Sequence, residues 1–258
     1  MTTAYAEING RPADAENLRI PALTGAYGHF TAMQVRGGRV RGLALHLARL
    51  DAATRELFGP PRRRAGPRAG PTGPQSDRRR GRGGARLRVR AGRGPQRHGD
   101  RTAAAGHVAG AAAPALRAVR AAGRPRQAPR RLRPGLLRPG RRPRGYTEAL
   151  LTGPGGEIAE GAITNIAFWD GSSVVWPDRP ALLGTTMALV ESRLPGYGTA
   201  TVRRPVTLGG LGAYRAAFVT NSQGIAPVAG IDDTAFAVDA ELMETVWRLY
   251  AEVPWDAV

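Results

Sequence analysis

A phosphate-binding function is suggested first by the stretch Gly184-Thr185-Thr186. It opens the segment "ALLGTTMALVESRL", whose apolar spacing predicts a helix. Unpaired backbone N–H groups and two hydroxyls at a helix start can hold a phosphate. A threonine in this position more commonly serves only as a helix cap, so the stretch does not establish a site by itself.

Two other stretches carry polar groups that could join such a site. The helical segment "LALHLARLDAATRELF" places His46 and Arg49 three residues apart on one face. A helix arginine usually lies in solvent, so Arg49 is a candidate only in combination with other groups. The segment "AFVTNSQGIAPV" reads as a strand that breaks into a loop of small residues at 221–224.

The elements that must position these groups have clear local signals. Short strands around turns at Asn9-Gly10 and Gly37-Gly38 are expected near the start. A helix over 43–58 follows, and a hairpin turning at Asp170-Gly171 is predicted within "EIAEGAITNIAFWDGSSVVWP". A last helix over 240–252 carries the apolar residues Leu242, Val246, Leu249 and Val253, a pattern typical of core packing.

The charge of the chain is concentrated in one segment. The whole sequence has a formal net charge of +18, and all of its 38 basic residues are arginine. Residues 60–145 hold 25 arginines and two acids, which gives 25 − 2 = +23. The other residues carry 13 arginines and 18 acids, which gives 13 − 18 = −5, the balance of an ordinary, mildly acidic protein.

The segment 60–145 has no aromatic residue and contains 12 of the 21 prolines, so we expect it to be disordered. It could be a basic nucleic-acid-binding insert, although aromatic side chains that stack on bases are missing. It could be a passive low-complexity linker, although 86 residues is long for one. The interpretation we favour is an out-of-frame translation of GC-rich DNA, which yields mainly arginine, proline, glycine and alanine.

Several classes of function find no support in the sequence. There is no cysteine, and the four histidines show no metal-ligand spacing, so we predict no metal site. No apolar run reaches the length of a membrane span, and the start of the chain lacks the apolar core of a signal peptide. We therefore expect a cytoplasmic protein, with no membrane partner and no nucleic-acid partner.

Taken in order, the pieces resemble the class IV family of pyridoxal-phosphate enzymes, which includes branched-chain and D-amino-acid aminotransferases and aminodeoxychorismate lyase. The resemblance covers residues 5–59 and 146–250. The matching motifs are "INGRP", "GAYGHFTAMQVRGGRV", "HLARL", "GYTEALLTGPGGEIAEGAITNIAFWDG", "ALLGTT" and "VTNSQGIAPV".

The resemblance implies an α/β fold of type IV with two domains, the cofactor pyridoxal 5′-phosphate, and a homodimer. A smaller N-terminal α/β domain, truncated here, would occupy 1–59. The out-of-frame segment would occupy 60–145, and a cofactor-binding domain built as a distorted barrel would occupy 146–258.

The resemblance also implies roles for individual residues. Arg49 would pair with the cofactor phosphate, and Glu160 would lie beneath the pyridine nitrogen and keep it protonated. Asn165 would hold the hairpin. The other positions implied to contact the cofactor phosphate are Leu182, Thr185, Thr186, Asn221 and Ser222. The positions implied to line the substrate pocket are His29, Phe30 and Thr31.

One departure from the family is decisive for chemistry. Catalysis in the family proceeds through a Schiff base with a lysine, and this sequence contains no lysine. Arginine cannot replace it, because its side chain stays protonated. The lysine should fall about twenty residues before "GYTEALL". There, Gln127-Ala128 encoded as CAA-GCN reads AAG, a lysine codon, one nucleotide later.

These observations predict a class IV aminotransferase that moves an amino group between an amino acid and a 2-oxo acid, and that is inactive in the chain as written. A lyase of the aminodeoxychorismate type is the alternative within the family. A non-catalytic scaffold with a basic nucleic-acid-binding insert is the alternative outside it.

Overall fold

The computed structural model describes residues 4–8, 11–12, 29–59, 87–91, 115–120 and 146–258. The chain divides into two compact units, the first made of Met1–Gly28 and Phe58–Thr102, the second of His29–Leu57 and Ala103–Val258. The first unit contains a three-stranded antiparallel sheet in the order β2-β1-β4. Its strands are β1 (Ala4–Ile8), β2 (Arg11–Pro12) and β4 (Leu87–Ala91). The predicted turn at Asn9-Gly10 falls between β1 and β2, outside the described residues.

The second unit is built on two five-stranded sheets. The first has the order β10-β9-β8-β11-β12, and its only parallel pair is β9 with β10. Its strands are β8 (Asn165–Trp169), β9 (Ser173–Pro177), β10 (Ala200–Arg204), β11 (Ala216–Asn221) and β12 (Gly224–Pro227). The β8–β9 hairpin is the predicted one, and Gly171 takes the positive φ of +101° that its turn requires.

The second sheet has the order β14-β13-β5-β6-β7. Its strands are β5 (Ala115–Arg120), β6 (Glu148–Thr152), β7 (Ile158–Gly161), β13 (Gly230–Ile231) and β14 (Thr234–Ala235). A separate two-stranded ribbon joins β3 (Arg39–Arg41) to β15 (Trp255–Ala257). The ribbon brings the region that precedes the first described helix against the C-terminal region.

Three α-helices are described in the chain: α1 (Leu43–Phe58), α2 (Thr185–Arg193) and α3 (Ala240–Ala251). The 3-10 helix Leu194–Tyr197 connects α2 to β10, and a second 3-10 helix, Leu208–Ala213, lies between β10 and β11. The predicted helices at 43–58, 185 onward and 240–252 are all present. Asp239 caps α3 by accepting a hydrogen bond from the backbone N–H of Leu242 at 2.9 Å.

The alternation of side chains along β8 explains how the second unit is layered. Ile166 and Phe168 point into a core that also contains apolar residues of the second sheet. Ala167 points to the other face, where a second core contains apolar residues of α2 and α3. The first five-stranded sheet is therefore covered on one face by a sheet and on the other by helices.

Two short stretches of the segment 60–145, which was expected to be disordered, are described. They are the strands Leu87–Ala91 and Ala115–Arg120, and Leu116 is fully buried. The rest of that segment lies outside the described residues. On α1, the large apolar side chains are only partly covered. Leu47 and Phe58 are 56% and 53% exposed, whereas His46 is buried.

Candidate cofactor site

A cavity of about 390 Å³ in the second unit brings the sequence-predicted site residues together. Its walls come from the segment before β3, from α1, from the β7–β8 connection, from the start of α2, from the β11–β12 turn and from the C-terminal region. Nine of the ten positions predicted to contact the cofactor or substrate line it: Phe30, Thr31, Arg49, Glu160, Leu182, Thr185, Thr186, Asn221 and Ser222.

The first turn of α2 presents its backbone to this cavity. Gly184 is the N-cap residue and has no side chain to satisfy the first N–H groups of the helix. The two hydroxyls make other contacts. Thr186 Oγ1 donates to the carbonyl oxygen of Asn221 at 2.8 Å, and Thr185 Oγ1 lies 3.3 Å from Nδ1 of His46. The threonines therefore do not cap α2, which leaves its N-terminal N–H groups available for an anion.

The loop that leads into α2 is fixed by side chains. Asn165 Nδ2 donates to the carbonyl oxygen of Leu182 at 2.6 Å, and Asn165 Oδ1 accepts from the N–H of Gly184 at 3.1 Å. A Cβ atom on Gly184 would collide with Asn165 Oδ1, so the fit requires glycine. Asn165 was expected to hold the hairpin; it lies on the hairpin strand β8 and holds the loop before α2.

Glu160 is attached to the same loop from β7. Its Oε2 accepts a hydrogen bond from the backbone N–H of Leu182 at 3.1 Å. Burial raises the pKa of the Glu160 carboxyl to about 7, while the Leu182 hydrogen bond and the charge of Arg49 act in the opposite direction. Glu148 adds a smaller raising effect. A carboxyl group in this position lacks a strong cationic partner and would be stabilised by one.

Arg49 lies on α1, where its Nη1 donates to the carbonyl oxygen of Leu183 at 3.2 Å. The guanidinium has five N–H donors, so this contact leaves others for an anion at the start of α2. Its positive charge also reaches His46, one turn earlier on the helix. Burial, followed by this charge, lowers the pKa of His46, which is therefore neutral at pH 7.

The β11–β12 turn forms another wall. Asn221 Oδ1 accepts from the N–H of Gln223 at 2.8 Å and closes the two-residue turn, and Gln34 Nε2 donates to the Gln223 carbonyl oxygen at 2.8 Å. Thr220, which precedes this turn, is 1% exposed. Its Oγ1 has no hydrogen-bond partner among the described residues, although it belongs to the cavity wall. A buried hydroxyl in this state favours a polar ligand.

The predicted substrate side shows two different environments. Phe30 is 76% exposed and lies at the rim, whereas the Thr31 hydroxyl is 2.6 Å from Nδ1 of the buried His46. His29 is not among the described residues that line the cavity. Its Nε2 is 2.9 Å from the Thr54 hydroxyl on α1.

Some cavity residues were not predicted from the sequence. His46 had one signal, its position three residues before Arg49 on the same helix face. Thr220 had no such signal, because a threonine in a strand usually has only a packing role. The remaining unpredicted polar or aromatic wall residues are Gln34, Arg41, Thr164, Gln223, Tyr250 and Trp255.

The polar groups of the cavity suit a phosphorylated pyridine at two points, its phosphate and its ring nitrogen. A helix N-terminus, an arginine and the unpartnered Thr220 hydroxyl would receive the phosphate, and Glu160 would receive the ring nitrogen. They do not suit covalent attachment, because the sequence offers no lysine to bond an aldehyde. In the part of the chain that the structure describes, no cluster of side chains could hold a metal ion. Within the same residues, no helix has the length and apolar character of a membrane span.

A comparison with protein-family models matches residues 28–231 to the class IV amino-transferase model. The curated proteins that were compared with the chain gave no match.

Solved structures give the same fold. A 4-amino-4-deoxychorismate lyase from Pseudomonas aeruginosa has a TM-score of 0.68 at 22% identity, with 96% of this chain and 99% of that chain covered. A putative 4-amino-4-deoxychorismate lyase from Legionella pneumophila has a TM-score of 0.63 at 16% identity, with coverages of 90% and 93%. The predicted fold class, an α/β fold of type IV, is confirmed by these likenesses.

Proposed function

The chain belongs to the class IV aminotransferase family, whose members depend on pyridoxal 5′-phosphate, and on this premise we propose that its gene encodes an aminotransferase acting on an amino acid and a 2-oxo acid. We propose further that the chain as written binds the cofactor without a covalent bond and has no transaminase activity. One observation carries the proposal. Arg49, Glu160 and the start of α2 line the same cavity, whereas the sequence has no lysine that could form a Schiff base with the cofactor.

Each cavity residue has a proposed task in holding the cofactor. Arg49 and the first N–H groups of α2, those of Thr185 and Thr186, bind the phosphate. Asn221 and Ser222 support the phosphate from the β11–β12 turn. When bound, the cofactor supplies an electron-withdrawing ring.

Glu160 maintains that property by pairing with the protonated ring nitrogen. The raised pKa of Glu160 reflects a carboxylate that burial has left short of positive charge. A cationic ring nitrogen would offset the burial and favour the ionised carboxylate. Phe30 and Thr31 border the substrate side, where they exclude water and orient the amino acid.

The missing lysine is explained by a reading-frame error over 60–145, between in-frame pieces at 1–59 and 146–258. Peptide mass mapping of residues 59–146 in protein from the source organism tests this. Lysine-containing peptides from the shifted frame, including one near Gln127, are expected. Arginine- and proline-rich peptides that match the printed sequence would contradict the frame error and leave a pseudoenzyme.

Non-covalent cofactor binding can be tested directly with the lysine-free chain. Incubation with pyridoxal phosphate followed by borohydride reduction should give no covalent adduct outside the N-terminal amine, because no lysine is present. Equilibrium dialysis should still detect cofactor binding. An adduct within the cavity segments, or no binding at all, would contradict the proposal.

Two alternatives have their own tests. A screen of 2-oxo acids as amino acceptors with the frame-restored protein separates an aminotransferase from a lyase of the aminodeoxychorismate type, since only the former needs an acceptor. A nucleic-acid-binding insert would instead give binding that weakens steeply with salt and disappears when 60–145 is deleted.

A homodimer is part of the proposal. Large apolar side chains stay exposed on α1 and on the loop before α2, among them Leu47 and Leu183, which is 59% exposed. Such side chains favour a protein contact. Sedimentation analysis over a range of concentrations should find a dimer, and a monomer at all concentrations would contradict this. We also expect the protein to be cytoplasmic, which localisation of a tagged chain would test.

A further inference from the structure

Arg41 forms a part of the cavity wall that the cofactor contacts proposed above do not use. It is the last residue of β3, and its side chain is only partly exposed. Its Nη2 donates to the carbonyl oxygen of Ala251 at 2.9 Å, and its Nε lies 3.3 Å from that of Val253. One edge of the guanidinium therefore holds carbonyls at the end of α3, as cations near helix C-termini commonly do.

Two aromatic rings also lie close to the same guanidinium. Its central carbon lies 4.3 Å from the centroid of the Trp255 ring and 4.9 Å from that of Tyr250. Both distances are within the range of cation–π contacts, and both rings line the cavity. The pairing of β3 with β15 places Arg41 opposite Trp255, so the group is held in one orientation.

The charge of Arg41 is not neutralised. Among the residues that the structure describes, no carboxylate lies within ion-pair distance of it. Burial lowers the pKa of the guanidinium, a nearby Arg36 lowers it further, and Tyr250 opposes both through its charge and a hydrogen bond. A partly buried cation without a counterion is unfavourable, and an anion bound in the cavity would relieve this.

Donor groups remain for such an anion. Of the five N–H groups of a guanidinium, two donate to the carbonyl oxygens of Ala251 and Val253, which leaves three, and a carboxylate bound in bidentate fashion needs two. Arg49, the proposed phosphate ligand, lies six residues into α1 from Leu43, or about 9 Å along the helix axis. The proposed phosphate contact uses Arg49 and leaves the remaining donors of Arg41 for a second anion.

We propose that Arg41 binds the carboxylate of the amino acid or 2-oxo acid substrate, against the wall made by Tyr250 and Trp255. This rests on the proposed function and names the group that recognises its substrate class. A carboxylate bound in this place would neutralise the charge of Arg41. The flat Trp255 ring would contact the part of the substrate next to the carboxylate.

Calorimetric titration of the full chain with 4-methyl-2-oxopentanoate, and with its uncharged amide, tests the proposal. In Arg41→Gln the affinity for the acid should fall about tenfold or more, the value of one charge-assisted contact, whereas the affinity for the amide should hardly change. Arg36→Gln is the matched control. It removes the same charge beside Trp255, 5.8 Å from that ring, but Arg36 is absent from the cavity wall, so acid binding should stay within about twofold.

Arg41→Lys provides a second variant in case the glutamine variant does not fold. The ammonium keeps the charge but not the bidentate geometry, so the preference for acid over amide should be reduced and not abolished. Equal acid binding by wild type and Arg41→Gln, or an equal loss of acid and amide, would overturn the proposal. Pyridoxal phosphate binding is measured separately in wild type, and its failure would count against the proposed function alone.

Discussion

Asp256 on β15 accepts a hydrogen bond from the backbone N–H of Leu43, the first residue of α1, at 2.8 Å. The two residues are 213 positions apart in the sequence. The carboxylate satisfies one of the N–H groups that a helix start leaves unpaired, and it places a negative charge at the positive end of the helix. The helix that carries Arg49 and His46 is therefore anchored to the C-terminal region.

Replacing Asp256 by alanine should lower the free energy of unfolding by about 1 kcal/mol, the usual cost of losing a helix-capping side chain. The affinity for pyridoxal phosphate should also fall, since Arg49 is carried by the same helix. Asp256→Asn keeps an acceptor oxygen and is the control, with most of the stability retained. Urea unfolding and equilibrium dialysis measure the two effects, and equal loss in both variants would contradict a capping role.

Glu160→Gln should change the pH dependence of stability. In the folded, cofactor-free chain Glu160 keeps its proton up to about pH 7, whereas the ordinary value is 4.5, so between these values the folded state binds more protons. Stability should therefore fall as pH rises through this window, and the glutamine variant should lose that part of the slope. Urea unfolding at pH 5 and pH 8 measures it.

The same variant should bind pyridoxal phosphate more weakly, because a neutral amide cannot pair with a protonated ring nitrogen. The apoprotein is thus expected to gain stability above pH 7 while cofactor affinity declines. Unchanged cofactor affinity would show that Glu160 does not contact the ring nitrogen.

Asn165→Ala should release the loop before α2. It removes both hydrogen bonds that hold Leu182 and Gly184, at a cost of about 1–3 kcal/mol for partly buried groups. Cofactor affinity should fall and hydrogen exchange in the 182–186 segment should rise. Ser192→Ala, which removes a hydroxyl that donates to Leu189 within the same helix, is the control and should leave both quantities unchanged.

Gly184→Ala should damage the same loop by crowding. The new methyl group would meet Asn165 Oδ1, so either the amide or the loop must shift. A loss of about 1–3 kcal/mol of stability is expected, as for other overpacked sites, together with weaker cofactor binding. Gly196→Ala meets no atom within 4 Å and is the control. Equal thermal unfolding of the two variants would contradict the close fit.

Local patterns in the sequence were sufficient for the elements and insufficient for their long-range contacts. The helix at 43–58 and the hairpin at Asp170-Gly171 are encoded by periodicity and turn chemistry, which act between near neighbours. The placement of Arg49 and Glu160 on one cavity was expected from the family resemblance. Trp255 and Asp256 carried no signal, because their contacts are with β3 and α1, far away in sequence.

The middle of the chain shows what composition alone does not predict. Composition alone argued against order throughout 60–145, yet Leu116 is buried in the core between the two large sheets. One strand can be supported by pairing with β6, even where its flanks consist mainly of alanine, glycine and proline. Composition describes the whole segment and carries no information on a single contact of this kind. The pairing register of a strand, in contrast, determines which residues meet.

The anchoring of α1 by the C-terminal ribbon also constrains when the site can exist during synthesis. Gln34 bonds across 189 positions and Arg41 across 210, so two walls of the cavity wait for residues that are made much later. Contacts of this separation close late, after local hairpins and helices have formed. A growing chain would therefore have no complete pocket until Gln223 and Ala251 have been made, and the cofactor could support folding only after that point.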